Sequence, residues 1–188
     1  MKLITRSNGL YLEGIEQKDI RFANLAGRMT GSPYDDPKNP KHVYVVWIDD
    51  PGIVQTMKEL HVNVTEKPDV DDPKIICHSV QLKAYPKMRV NRNTGKEEQY
   101  PKVMLRTTQN TVRLEAAAFG LVDSAHVESV DIRLHTWQYD QRKTDQVAVI
   151  DELWLTVDEG AGEQDESYLD EKYGYSEPEI GEDEVPFQ

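Results

Sequence analysis

The sequence is poor in the residues that most directly announce a chemistry. It holds one cysteine, Cys77, in 188 residues. That excludes an intramolecular disulfide framework and any cysteine-based zinc site. A reducing, cytoplasmic setting is the expectation. No stretch approaches the roughly 18 apolar residues of a membrane span, and the opening residues, Met1 to Gly9, lack the apolar run of a secretory signal. No membrane partner is expected. The five histidines (His42, His61, His78, His126, His135) form no close pair on one helix face, so no metal is expected. Gly27-Arg28-Met29-Thr30-Gly31 lacks the length and the lysine of a phosphate loop. The acid pairs Asp35-Asp36, Asp49-Asp50 and Asp71-Asp72 fall in loops or beside a proline, where turn and capping roles account for them. No nucleophile–base spacing is present. The reading is therefore of a non-enzyme without catalytic residues or cofactor.

Bases are also scarce overall: 22 against 34 acids, for a net charge of −12. The excess is not spread evenly. Asp158 to Gln188 carries twelve acids and one base, Lys172, or −11. Residues 1–157, with the remaining 21 bases and 22 acids, are nearly neutral. Blocks of like charge repel, bury little and often serve as interaction tails. Two parts are expected: a domain over residues 1–157, and a disordered acidic tail over 158–188. A body of that size buries a core without staples.

Within the body, periodicity is mostly β. Leu10–Ile15 and Lys18–Leu25 read as strands. A loop from Thr30 to Pro40 holds three prolines; Arg28, Tyr34, Lys38 and Lys41 are placed around it to touch a ligand. Val43 to Ile48 is an unbroken β-branched and aromatic run, the mark of a strand buried on both faces. Trp47 and Trp154 are therefore assigned to the core; Phe22 fits either face, with the core preferred. Asp50-Pro51 predicts a capped helix over Pro51–Leu60, with Ile53, Val54, Met57 and Leu60 on one side. A short strand at His61–Val64 and a loop over Glu66–Pro73 follow.

Ile75 to Val90 predicts one long alternating strand. Val80, Leu82, Ala84, Pro86, Met88 and Val90 take one face; Gln81, Lys83, Tyr85, Lys87 and Arg89 take the other. Pro86 puts it at an edge or a bend. Asn91 to Lys96 is a hairpin tip. The return strand, Tyr100 to Thr107, sets Tyr100, Lys102, Met104 and Arg106 opposite Pro101, Val103 and Leu105. From Lys83 to Arg106, seven bases including Arg92 and Lys96 face two acids, for +5. A short helix or turn is expected at Glu115–Phe119. In Glu128–Tyr139, Val130, Ile132, Leu134 and Thr136 point in, while Asp131, Arg133, His135, Trp137 and Tyr139 point out. Gln146 to Val157 is the last strand. The fold class is mainly β: an OB-fold-like antiparallel barrel of five or more strands, with one or two short helices.

A sheet face that mixes cations with rings suits single-stranded nucleic acid. Bases stack on Tyr or Trp for ~1–3 kcal/mol each, and Lys or Arg beside them neutralise phosphates. The candidate residues are Tyr85, Tyr100, Trp137 and Tyr139 for stacking, and Lys83, Lys87, Arg89, Arg92, Lys102, Arg106 and Arg133 for phosphates. The alternative from residues alone is a solvated sheet face with aromatics chosen for strand propensity.

Three segments carry a resemblance: Ile20-Arg21-Phe22-Ala23-Asn24-Leu25-Ala26-Gly27, His61-Val62-Asn63-Val64, and Leu121 to Trp137. On these the chain resembles the phage-encoded single-stranded DNA-binding proteins with an OB-type barrel and an acidic C-terminal arm, from about Ile20 to Val157. The tip Glu182-Asp183-Glu184-Val185-Pro186-Phe187 is similar to the acidic Pro-Phe end by which such proteins recruit partners. Here Gln188 follows the phenylalanine that ends that pattern. The resemblance implies binding of single-stranded DNA and recruitment of replication and recombination proteins through Glu182–Phe187. RNA in place of DNA stays open, as does a homo-oligomer. The rival function is a virion-associated or other interaction protein whose acidic arm mimics DNA.

Overall fold

A computed structural model describes residues 1–157 except 34, 71, 92, 93 and 139–145. The chain opens with a hairpin of β1 (Lys2–Arg6) and β2 (Gly9–Ile15). After a single 3-10 turn, β3 (Ile20–Asn24) pairs antiparallel with β4 (Val43–Trp47). Asp50 then caps α1 (Pro51–Glu59): its Oδ1 accepts from the Gly52 N–H at 2.7 Å and the Ile53 N–H at 3.3 Å. Proline at the first position has no N–H to leave unsatisfied, so cap and start agree. Ile53, Val54 and Met57 are the buried face of α1, as their spacing predicts.

β5 (Val64–Pro68) pairs along its whole length with β6 (Ile76–Lys83). The expected loop at Glu66–Pro73 thus begins late. Thr65 to Pro68 are exposed, so the strand owes its form to the β6 ladder rather than to a buried face. The long strand expected from Ile75 to Val90 is broken at Tyr85-Pro86. Beyond it, β7 (Lys87–Val90) pairs only with β8 (Glu97–Tyr100), as a separate two-stranded ribbon. Met88 and Val90 are consequently exposed, at 55% and 59%. The return strand is likewise divided, β8 being followed by β9 (Lys102–Arg106), which pairs with β10 (Thr111–Leu114). A short α2 (Phe119–Ser124) precedes the two longest strands, β11 (Val127–Trp137) and β12 (Val147–Val157).

The main sheet runs β1-β2-β11-β12-β6-β4-β3, with β5 added to β6, and β9 with β10 added to β12. Among the described residues its ladders are antiparallel except two. One edge of β12 meets β6 at Ala148 and Val149 and β9 from Glu152 to Thr156, both in parallel. The mainly β body is therefore a mixed sheet with two short helices. Alternation fills its inner face. Val130, Ile132 and Leu134 of β11, Ile150, Leu153 and Leu155 of β12, Val80 and Leu82 of β6, and Tyr44 and Val46 of β4 are all buried. They pack with Met57 of α1 and Phe119 of α2 in one core. Burial raises the Tyr44 hydroxyl well above its ordinary range, with the Asp123 charge adding to it.

Candidate nucleic-acid interface

The inner face is set by period two, so the outer face is too. On β11 it presents Asp131, Arg133, His135 and Trp137, as the sequence predicts. What the sequence does not show is the bulge opposite. Arg133 pairs with Glu152 and Leu134 with Ile150, so Asp151 is an extra residue in β12. A bulge turns consecutive side chains toward the same face. Two carboxylates therefore meet the two bases of β11: Glu152 lies 3.1 Å from Arg133 and Asp151 lies 2.9 Å from His135 Nδ1. Further along this face, Arg106 covers the Trp154 ring at 4.4 Å and lies 3.9 Å from Asp131. Arg6 covers Tyr11 at 4.5 Å and pairs with Glu13 at 3.2 Å. Lys102 pairs with Glu98 at 2.7 Å. The Lys102 hydrogen bond, with a second from Asn91, holds the Glu98 carboxyl below its ordinary value. This end of the face is a lattice of matched charges around a small hollow of about 160 Å³.

The other end is different. Three hollows adjoin there. One of about 780 Å³ is lined by Arg21, Trp47, Lys67, Asp69, Cys77 and Gln81 among others, and Gln81 is shared with the next. That one, about 570 Å³, adds Lys41, His42, Lys83, Tyr85 and Lys87. Tyr85 and Lys87 are shared with a third of about 290 Å³, completed by Arg89, His135, Trp137 and Val149. The result is a groove that crosses the strands from β3 and β4 through β6 to β11. At ~4.8 Å per strand step, the ladder β3-β4-β6-β12-β11 spans roughly 19 Å.

The groove's charge is one-sided. Its lining holds Lys18, Arg21, Lys41, Lys67, Lys83, Lys87 and Arg89 against one acid, Asp69. Lys18 is engaged by Glu16 at 2.8 Å. Among the described residues, the other six bases have no carboxylate in ion-pair range. Rings lie between them. Arg21 stands 5.4 Å from the Trp47 ring, and Tyr85 meets Trp137 edge to face with centroids 6.4 Å apart. Arg89 lies 5.4 Å from the Tyr100 ring, which Lys102 approaches from elsewhere at 5.5 Å. Partial burial, and then a hydrogen bond to Asp69, keep the Cys77 thiol above its ordinary value. It is a poor nucleophile there.

The candidate residues thus divide. Lys83, Tyr85, Lys87, Arg89 and Trp137 come together in the groove, with Tyr100 at its margin. Lys102, Arg106 and Arg133 lie in the matched-charge lattice instead. Arg92, Tyr139 and the tail positions Glu182, Asp183, Glu184, Val185, Pro186 and Phe187 lie outside the described residues, as does Tyr34. Of the loop bases, Lys41 lines the groove, while Arg28 donates to the Gly120 carbonyl at 3.0 Å. Three ring assignments are corrected. Trp47 and Trp154 are only partly buried, each beneath an arginine, and Phe22 is 42% exposed. Their apolar neighbours in sequence point to the opposite face. Arg21, Trp47 and Lys67 are groove residues that strand-by-strand reading missed, because they come from three strands that only the β3–β4, β4–β6 and β5–β6 ladders bring side by side.

Among the described residues, no three His, Cys, Asp or Glu side chains are grouped to hold a metal ion, and no helix is long and apolar enough to cross a membrane. No protein-family model matches the chain, and no curated protein matches it. Solved structures similar to it include two single-stranded DNA-binding proteins. The single-stranded DNA-binding protein of bacteriophage Enc34, in a C-terminally truncated form, aligns over 84% of this chain and 96% of its own length, with 13% identity and a TM-score of 0.42. The single-stranded DNA-binding protein gp2.5 encoded by bacteriophage T7 aligns over 83% of this chain and 86% of its own, with 12% identity and a TM-score of 0.33. Likeness this distant identifies no ligand, which the groove's own side chains have to do.

Proposed function

We propose that the chain binds single-stranded DNA along this groove, largely without regard to sequence, and acts as a non-enzymatic protector of exposed strands. One observation carries the reading: among the described residues, six bases without a carboxylate partner share three adjoining hollows with Trp47, Tyr85 and Trp137, and a single acid lines them. Cations tracking a backbone, with rings between them, are what a flexible polyanion with π-faced bases requires. A duplex offers no such faces, since its bases are stacked on one another. In this reading, residues 158–188 are a separate acidic arm. The arm competes for the groove when DNA is absent, and Glu182 to Phe187 recruit replication or recombination proteins when it is bound. The setting is the cytoplasm.

The test is fluorescence anisotropy of a labelled dT20 titrated with the full chain at 50 and 200 mM salt. Saturable binding that weakens steeply with salt is expected, and absence of binding at 50 mM salt overturns the reading. A chain ending at Val157 is expected to bind more tightly, and unchanged affinity would remove the competing role of the arm. The matching ribo-oligonucleotide separates DNA from RNA.

A further inference from the structure

The third hollow is more than a stretch of basic surface. It is a corner. Tyr85 and Trp137 stand at 87° to one another, and Lys87, Arg89 and the buried Val149 of β12 line the hollow with them. A volume of about 290 Å³ lies just below the roughly 300–1,000 Å³ of pockets for drug-sized ligands. It has room for a base. A base stacked on one ring meets the other ring edge-on, with its phosphate toward the two cations.

The remaining polar group in the corner is His135, and its orientation is built in. The Asp151 carboxylate, turned to this face by the β12 bulge, stands 2.9 Å from Nδ1. A carboxylate accepts only, so Nδ1 carries the hydrogen, and Nε2 of the neutral ring is an acceptor. Among the described residues Nε2 has no hydrogen-bond partner. Without the bulge, strict alternation would turn Asp151 inward and leave the ring's tautomer unset.

We propose that this corner is a nucleobase-reading position in which His135 Nε2 accepts a hydrogen bond from an exocyclic amino group. It therefore favours cytosine over uracil or thymine, whose matching atom is a carbonyl oxygen that also only accepts. The inference rests on the groove being the single-strand site, and it adds a modest base preference at one position. Asp151 is a positioning residue: it touches no DNA and acts through the imidazole.

The test compares dC10 with dU10, which lack the thymine methyl and differ at that exocyclic atom and at the N3 beside it, an acceptor in cytosine and an N–H in uracil, at pH 8.5 with the full chain. One net hydrogen bond predicts dC10 binding about three- to tenfold more tightly. His135→Ala is expected to bring the two affinities together while leaving the salt dependence of each unchanged. Asp151→Asn, which releases the tautomer, is expected to reduce the ratio without equal loss of overall affinity. Equal affinities in the wild type, or a ratio that survives His135→Ala, overturn the inference and leave single-strand binding standing. Failure to bind either oligonucleotide overturns both.

Discussion

Paired substitutions at two ends of one sheet face test how charge is used. Lys83 and Lys87 line the groove without a carboxylate partner among the described residues, whereas Lys102 and Arg133 are matched by Glu98 at 2.7 Å and Glu152 at 3.1 Å. Single-strand binding loses roughly 0.7 in the slope of log K against log salt for each phosphate neutralised. Six unmatched bases predict a slope of about −4.2, and Lys83→Ala with Lys87→Ala lowers it to about −2.8. Between 50 and 200 mM salt the wild type is then expected to lose roughly 300-fold in affinity, and the double variant roughly 50-fold. Lys102→Ala with Arg133→Ala removes as many charges, but cations already countered by protein carboxylates release few counterions. Its slope is expected to stay near −4.2, while its melting temperature falls because Glu98 and Glu152 are left half-buried and unpaired. The assay is anisotropy of labelled dT20 over a salt series, with melting curves to establish folding. Equal flattening of the slope by the two double variants would refute the division of the face.

Three further outcomes follow from the fold and its ion pairs. Asp50→Ala removes both side-chain hydrogen bonds at the start of α1 and is expected to destabilise the protein by about 1 kcal/mol in urea unfolding, with DNA affinity unchanged. Gly27→Ala is expected to cost more than about 1 kcal/mol. Gly27 has φ +69° and its added Cβ would lie 2.5 Å from the His42 ring, whereas Gly31→Ala, at φ +77° with no neighbour, bears the backbone strain alone. The third concerns acid. Hydrogen bonds from Lys58 and Lys102 hold Glu66 and Glu98 below their ordinary value of 4.5. Their stabilisation is therefore complete above pH 4.5 and lost as pH falls through the lowered values. Melting temperature is expected to drop on that acid limb, and Lys102→Ala to flatten the drop; an unchanged limb would contradict the role of the pair.

The faces were legible where period two met a real core. Val80, Leu82 and Ala84, and Val130, Ile132 and Leu134, are buried as their alternation predicts. The same alternation misled at Met88 and Val90, because a two-stranded ribbon has the same period with nothing packed on it. Trp47 shows the converse. It sits in an apolar run, yet its own side of β4 faces the groove, and Arg21 from β3 supplies its cover. Equal-looking cations could not be sorted in sequence. Whether Arg133 is matched depends on the β11–β12 register, which the bulge at Asp151 resets, and Lys102 meets Glu98 only because the chain turns between β8 and β9. The groove itself was half visible. Lys83, Tyr85, Lys87, Arg89 and Trp137 stood out, whereas Arg21, Trp47 and Lys67 join them only through the pairing of β3, β4 and β5 around β6.

The most direct measurement of the central claim is an amide and side-chain NMR titration of the full chain with dT10. Saturable shifts are predicted at Arg21, Trp47, Gln81, Lys83, Tyr85, Lys87 and Trp137, with little change at Arg6, Arg106 and Trp154. Shifts centred on Arg106 and Trp154 instead, or none at all, would contradict the assignment of the groove as the single-strand site.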